Sequence, residues 1–192
     1  MNSFGLGPSL VLTRMNARQS PVEQSFRSPE RSSNPLPAKV GKNGCVILFA
    51  AIETETGGRF DALDITNDVL KLVRSSGVRD GNVLVFSPHT TCSVVITASG
   101  NGSLKALERT MDTLAPKDHY YAHDDLDIRT ENLVEEEPAN APAHIFHIFA
   151  GKTSESIPIV DGVPALGDGQ RVLFLELDSS RQRRCFIQVV GE

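Results

Sequence analysis

Five histidines, at positions 89, 119, 123, 144 and 147, are the residues best suited to proton transfer or metal ligation in this chain. His89 follows Pro88 and precedes two threonines, at the junction of two expected strands. His123 opens a His-Asp-Asp run. His144 falls in the first turn of an expected helix. The positive end of a helix dipole disfavours imidazolium there, which suits a metal ligand or a hydrogen-bond acceptor. Three imidazoles from separate segments can build an open three-ligand metal site with a water position. Spacing alone does not bring them together, and unrelated surface or hydrogen-bonded histidines fit the same sequence.

A second constellation lies near residue 180. Ser179-Ser180 reads as the two-residue turn of a hairpin running from Gln170 to Val190. Across such a turn Asp178 faces Arg181 and Glu176 faces Arg183, while Gln170, Val172 and Phe174 share the face of Glu176. If exposed, these are two ion pairs of little energetic weight. If rigid, the two guanidiniums are set to take a phosphate bidentately. Residues 118–137 carry eight acids against one Arg. Such a stretch is either a solvated loop or a place for Mg²⁺ beside substrate phosphates.

The elements that must position these groups alternate irregularly. Cys45–Ile52 is a continuous apolar run, read as a buried strand. Ile65, Val69, Leu72 and Val73 make one helical face, with Thr66 the expected cap and Gly77 the expected stop. Val83–Ser87 and Cys92–Thr97 read as strands flanking Pro88-His89-Thr90-Thr91. Leu104, Leu107, Met111 and Leu114 mark a second helix, with Ser103 its expected cap and Pro116 just beyond its end. Pro142 is expected to open a short helix through Phe149. Asp161-Gly162 between apolar runs is a hairpin signal. The mixture lacks regular strand–helix alternation and predicts an α+β domain with a mixed β-sheet and two to three helices.

Charge divides the chain in two. The net charge is −5, but residues 1–40 hold five basic residues against two acids, which leaves −8 on the rest. A domain at −8 has no global field for nucleic acid. Residues 1–40 are rich in Ser, Pro, Arg and Asn and read as a disordered basic tail, with 41–192 as the domain. The tail suits a cytoplasmic protein, or a mitochondrial or other organellar one if it serves as a transit peptide. No run approaches the ~20 apolar residues of a membrane span. The three cysteines, 45, 92 and 185, sit in apolar runs and read as buried thiols of a reducing compartment. No phosphate-binding glycine motif and no HExxH is present.

Seven segments in order carry a resemblance. They are Asp64–Thr66 (DIT), Ser87–Thr91 (SPHTT), Tyr121–Asp125 (YAHDD), Asn140–His144 (NAPAH), Leu166–Gln170 (LGDGQ), Glu176–Arg184 (ELDSSRQRR) and Val189–Glu192 (VVGE). Together they resemble the secondary thiamine-phosphate synthase family, the YjbQ-like proteins, over about residues 41–192. The resemblance implies an α+β subunit assembling as a homotrimer. It implies a site using His89, His123 and His144, with Glu176, Arg181 and Arg183 near the end of the chain. On it, His89, His123, His144 and Glu176 are the catalytic candidates, and the three histidines are the ligands of a divalent ion, Zn or Mg. Thr90, Thr91, Asn140 and Gln170 join Arg181 and Arg183 as candidates for binding a phosphorylated small molecule. No nucleic acid or membrane partner is expected.

The implied activity is a transferase reaction. A hydroxymethylpyrimidine diphosphate loses pyrophosphate, and a thiazole phosphate nitrogen captures the methylene carbon. Two alternatives stay open at this point: a non-catalytic metal- or ligand-binding trimer, and a metal-dependent hydrolase of a small phosphorylated substrate. Two positions differ from the family pattern. A Glu soon after the HTT motif is Ala98 here, and the Trp of an LGTWQ-like motif is Gly169, in a chain with no Trp at all.

Overall fold

Side chains along strand β3 (Val46–Glu55) point alternately into and out of the core, so Leu48, Ala50, Ile52 and Thr54 are buried. The computed structural model describes residues 32–35, 39–41, 44–98, 100–131, 133 and 138–192. Strands β1 (Ser32–Pro35) and β2 (Lys39–Val40) precede β3. Then come β4 (Ala62–Asp64), helix α1 (Thr66–Ser76), β5 (Gly81–Phe86), β6 (Cys92–Ala98), α2 (Asn101–Leu114) and α3 (Ala141–Phe149). The last strands are β7 (Ser154–Val160), β8 (Val163–Pro164), β9 (Gln170–Glu176) and β10 (Gln182–Gly191).

The strands form two sheets instead of one mixed sheet, and every described pairing is antiparallel. The larger sheet runs β1-β3-β10-β5-β7-β8, with β2 also on β3, and the smaller runs β4-β9-β6. Between them lies one core. Ile52, Val85 and Ile187 of the large sheet meet Val94, Val172 and Phe174 of the small one, and α1 adds Val69 and Val73. The outer face of the small sheet meets the other helices, where Leu173, Leu175 and Leu177 pack on Met111, Ala143 and Phe146. Strand β9 is therefore buried on both sides, which accounts for its unbroken apolar run VLFL.

Three expectations are corrected here. Gln170–Val190 is not a hairpin, because β9 pairs with β4 and β6 while β10 pairs with β3 and β5. The chain leaves one sheet at Glu176 and enters the other at Gln182. Helix α1 is capped from outside by Asp64, whose Oδ1 accepts the Thr66 N–H at 2.9 Å, while the Thr66 hydroxyl turns away to accept the Val172 N–H. Ser103 is inside α2, with its hydroxyl on the Gly100 carbonyl. Upstream, residues 32–35 and 39–40 pair with β3, so strand structure extends into the stretch read as tail. Residues 1–31 lie outside the described residues. Gly77 does end α1, at φ 72°, and Asp161-Gly162 makes a two-residue turn with φ of 50° and 79°. Cys92 and Cys185 are buried and Cys45 is half-buried. No described helix is long and apolar enough to cross a membrane.

Gly81 and Gly191 face each other where β5 meets β10. A Cβ on Gly191 would lie 2.4 Å from the Asp80 carbonyl oxygen and 2.8 Å from Gly81 Cα. Gly191→Ala is expected to destabilise by about 1–3 kcal/mol through overpacking, seen as a lower urea midpoint at unchanged slope. Gly169→Ala meets nothing within 4 Å and is expected to leave the midpoint in place.

Candidate functional site

Two crossings between the sheets run side by side at one end of the sandwich. The first is Ser87–Thr91, between β5 and β6. The second is Leu177–Arg181, between β9 and β10. The Leu177 N–H donates to the Thr91 carbonyl at 3.0 Å, and Arg183 Nη2 donates to Thr91 Oγ1 at 3.1 Å. The segments carrying His89 and the two arginines are therefore tied together.

Glu176 is the anchor. It is 0% exposed, and its carboxylate accepts from Arg183 Nε at 2.6 Å and Nη2 at 2.8 Å, from Thr56 Oγ1, and from the Leu177 and Asp178 amides. With the Cys92 thiol at 3.6 Å from Oε2, six donors occupy both oxygens. This carboxylate does not line the cavity described below, and its geometry is that of a positioning residue, not of an acid or base. Burial alone favours a neutral guanidine, but the Glu176 bond outweighs it and holds the Arg183 pKa above its ordinary value. Beside the pair, burial and then Glu176 push the Cys92 thiol far up, so it stays protonated. The second pair is more open. Arg181 Nη2 donates to Asp178 Oδ2 at 2.8 Å, and its Nε donates to Ser179 Oγ. Asp178 also accepts from Asn140 Nδ2 at 2.9 Å, which links the crossing to α3.

Helix α3 presents His144, and the loop from Tyr121 brings His123 to it, with ring centroids 4.7 Å apart. Asp124 fastens this loop, since its Oδ1 takes His123 Nδ1 at 2.8 Å and the Ala141 N–H at 2.9 Å. His89 sits on the opposite wall. Its Nε2 accepts the Arg184 N–H at 3.0 Å, which places the ring proton on Nδ1. Burial, then the Arg183 charge, lowers the His89 pKa, and burial, then His123, lowers that of His144. Both shifts favour the neutral ring at pH 7. His123→Asn removes the second of those causes. The His144 midpoint is expected to rise toward the ordinary imidazole value; imidazole NMR titration reads it.

These groups line one cavity of about 1060 Å³, bounded by His89, Thr90, Thr91, His123, Asn140, His144, Arg181 and Arg183, with Arg129 and Glu131. Gln170 is not there. Its Oε1 accepts the Gly167 N–H, six residues and about 20 Å along β9 from Glu176. Ala98 pairs with Gln170 and Gly169 adjoins it, so both departures from the family pattern lie at that far end. His147 Nδ1 bonds the Cys92 carbonyl at 2.7 Å, and His119 packs edge-on against Tyr121. Among the described residues no three His, Cys, Asp or Glu side chains gather as a metal-holding group. His89 Nε2 is already used, so the imidazoles free to act together are His123 and His144. Sequence reasoning missed Arg129, whose signal was being the one cation in an acidic stretch, and Thr56, which has no local signal.

The family model described as UPF0047 protein YjbQ-like matches residues 50–192. A UPF0047 protein of Archaeoglobus fulgidus is 38% identical over 136 residues, 71% of this chain and 96% of that one. The UPF0047 protein YugU of Bacillus subtilis is 27% identical over 145 residues, 75% of this chain and all of that one. Among solved structures, a YbjQ-like protein of unknown function from Sulfolobus solfataricus superposes with a TM-score of 0.67 at 25% identity, covering 77% of this chain and 99% of that one. A YjbQ/UPF0047 family protein from Clostridium acetobutylicum gives 0.62 at 31% identity, covering 72% and 98%.

Proposed function

This chain belongs to the YjbQ-like UPF0047 family, and from that premise we propose that its cavity binds a diphosphorylated small molecule and transfers the organic group with loss of pyrophosphate, as a secondary thiamine-phosphate synthase does. The observation that carries this reading is the pair of guanidiniums, Arg181 and Arg183, each pinned by its own carboxylate on one wall of a cavity that also holds three histidines. Fixed cations facing a diphosphate do the most where charge develops, and in this reaction charge develops on the leaving pyrophosphate.

The step balances without a proton. The methylene C–O bond breaks and its electron pair leaves on the pyrophosphate oxygen; the thiazole nitrogen lone pair forms the new C–N bond. Arg181 and Arg183 take the phosphate oxygens, with Thr90, Thr91 and Asn140 as neutral partners. Neutral His144 presents a lone pair, His89 keeps its own on the Arg184 amide, and neither ring adds positive charge beside the carbon that becomes electron-poor. Holding two rings in one cavity removes much of the entropic barrier. A divalent cation, the cofactor the resemblance implies, would take His123 and His144 as two of its ligands and supply further charge neutralisation to the diphosphate. The homotrimer belongs to the same proposal. The outer face of the large sheet supports it, with Phe186 packed 5.2 Å from Phe49 and 6.5 Å from Phe86, and with Phe86 and Ile47 exposed.

The test is purified protein with hydroxymethylpyrimidine diphosphate and thiazole phosphate, with and without Mg²⁺ or Zn²⁺. Thiamine phosphate and pyrophosphate are expected in equal amounts. Pyrophosphate or phosphate without thiamine phosphate would move the reading to a hydrolase, and no product under any condition would leave only a binding module.

A further inference from the structure

A smaller cavity of about 280 Å³ lies behind the first, across a shared wall made by Asn140. It is lined by Arg59, Lys117, Asn140, Phe146 and Asp178, among others. Two buried polar atoms at this place have no partner, Arg59 Nη1 and Asn140 Oδ1. The first is a charged donor and the second an acceptor. Asn140 is 8% exposed, and its amide orientation is fixed because Nδ2 donates to Asp178. Buried polar atoms are normally paired; Arg59 and Asn140 both line this cavity, and a group that both accepts and donates would pair the two.

The local backbone is built around Arg59. Phe60 adopts a left-handed φ of 60°, costly for a bulky residue. Its N–H bonds the Glu176 carbonyl at 2.7 Å and its ring lies 5.6 Å from that of Phe146. The Arg59 guanidinium then sits over both rings, at 5.2 and 5.3 Å, with Nη2 on Asp112 and Nη1 left over. The two carboxylates on the cavity are already engaged: Asp124 with His123 and the Ala141 amide, Asp178 with Asn140 and Arg181. The start of α3 offers no spare donor, since the Ala143 and His144 amides return to the Asn140 carbonyl and Pro142 has none. The available cations are Arg59 and Lys117.

We propose that this cavity is a second phosphoryl-binding site, in which Arg59 Nη1 and Lys117 hold the oxygens of a phosphate or phosphate monoester and a protonated oxygen donates to Asn140 Oδ1. A phosphate monoanion carries both functions in one small group, and it brings the smallest charge a phosphate can to a place where Asp112, Asp124 and Asp178 stand with Arg59 and Lys117. The site does not depend on the reaction proposed above. If that reaction is right, it seats the phosphate of the second substrate next to the diphosphate cavity.

Equilibrium dialysis of the full chain against radiolabelled inorganic phosphate tests this, with crystals soaked in phosphate as the second readout. Two phosphates per chain are expected. Arg181→Ala should remove or weaken one event and keep the other. Arg59→Met should lose the event that Arg181→Ala keeps. Lys117→Ala, at an exposed position that folding does not need, should weaken that same event about tenfold. Phosphate density should touch Arg59 Nη1 and Asn140 Oδ1. The proposal is overturned if Arg181→Ala abolishes all binding, if Lys117→Ala and Arg59→Met bind as the unmodified chain does, or if ordered water fills the cavity at saturating phosphate.

Discussion

Glu176→Ala is expected to cost about 3–5 kcal/mol of stability, because it leaves the Arg183 guanidinium buried and uncompensated. Arg183 is only 7% exposed and gives two bonds to this carboxylate. The Asp178 amide loses its acceptor as well, while the Leu177 amide and the Thr56 hydroxyl keep the Thr91 and Arg181 carbonyls. A loss of that size is a large share of the stability of an ordinary domain, so urea unfolding at pH 7 should show a much lower midpoint or no folded baseline. The control is Glu176→Leu with Arg183→Met. Replacing a whole buried ion pair by apolar side chains is often neutral, so the double variant should recover most of the stability and none of the diphosphate binding. That split separates the pair's part in the fold from its part in the site.

Arg181→Ala is expected to do the reverse. Its side chain is 39% exposed and its ion pair with Asp178 is partly solvated, so stability should change by less than about 1 kcal/mol. Removing a charged donor from the diphosphate should cost about 1.5–3 kcal/mol of binding, a loss of roughly 10- to 150-fold in affinity. Titration calorimetry with pyrophosphate measures it. Arg181→Lys should recover only part of the loss, because an ammonium cannot reproduce the planar two-donor contact.

The two acid–arginine contacts were legible from sequence because Asp178 and Arg181 stand three residues apart and Glu176 and Arg183 seven, so a short crossing keeps both pairs within reach without a hairpin. The change of sheet between β9 and β10 was not legible. It depends on β3, β4, β5 and β6, which claim the two strands from more than 70 residues away. Parity put Gln170 on the face of Glu176, but parity says nothing of distance along a strand, and Gln170 lies at the wrong end. His123 and His144 meet through Asp124, which reaches across a loop to the first amide of α3, and no periodicity encodes that bond. Helix α1 shows the same limit locally. Thr66 looked like the cap, but the Val172 amide of β9 competes for its hydroxyl, and Asp64 does the capping instead. The sequence differences at Ala98 and Gly169 gain a meaning only in three dimensions. They are neighbours of each other at the end of the small sheet far from Arg181 and Arg183, so they leave the cavity's own residues untouched.

The central claim is that the cavity of His89, His123, His144, Arg181 and Arg183 receives a diphosphate. Imidazole NMR of the full chain titrated with pyrophosphate tests it most directly, because the five histidines report on both sides of the question. Resonances of His89, His123 and His144 should move together with one saturation curve, those of His119 and His147 should stay, and Arg181→Ala should shift the curve to higher concentration. Stationary resonances for the three cavity histidines at saturating pyrophosphate, or movement confined to His119 and His147, would contradict the account.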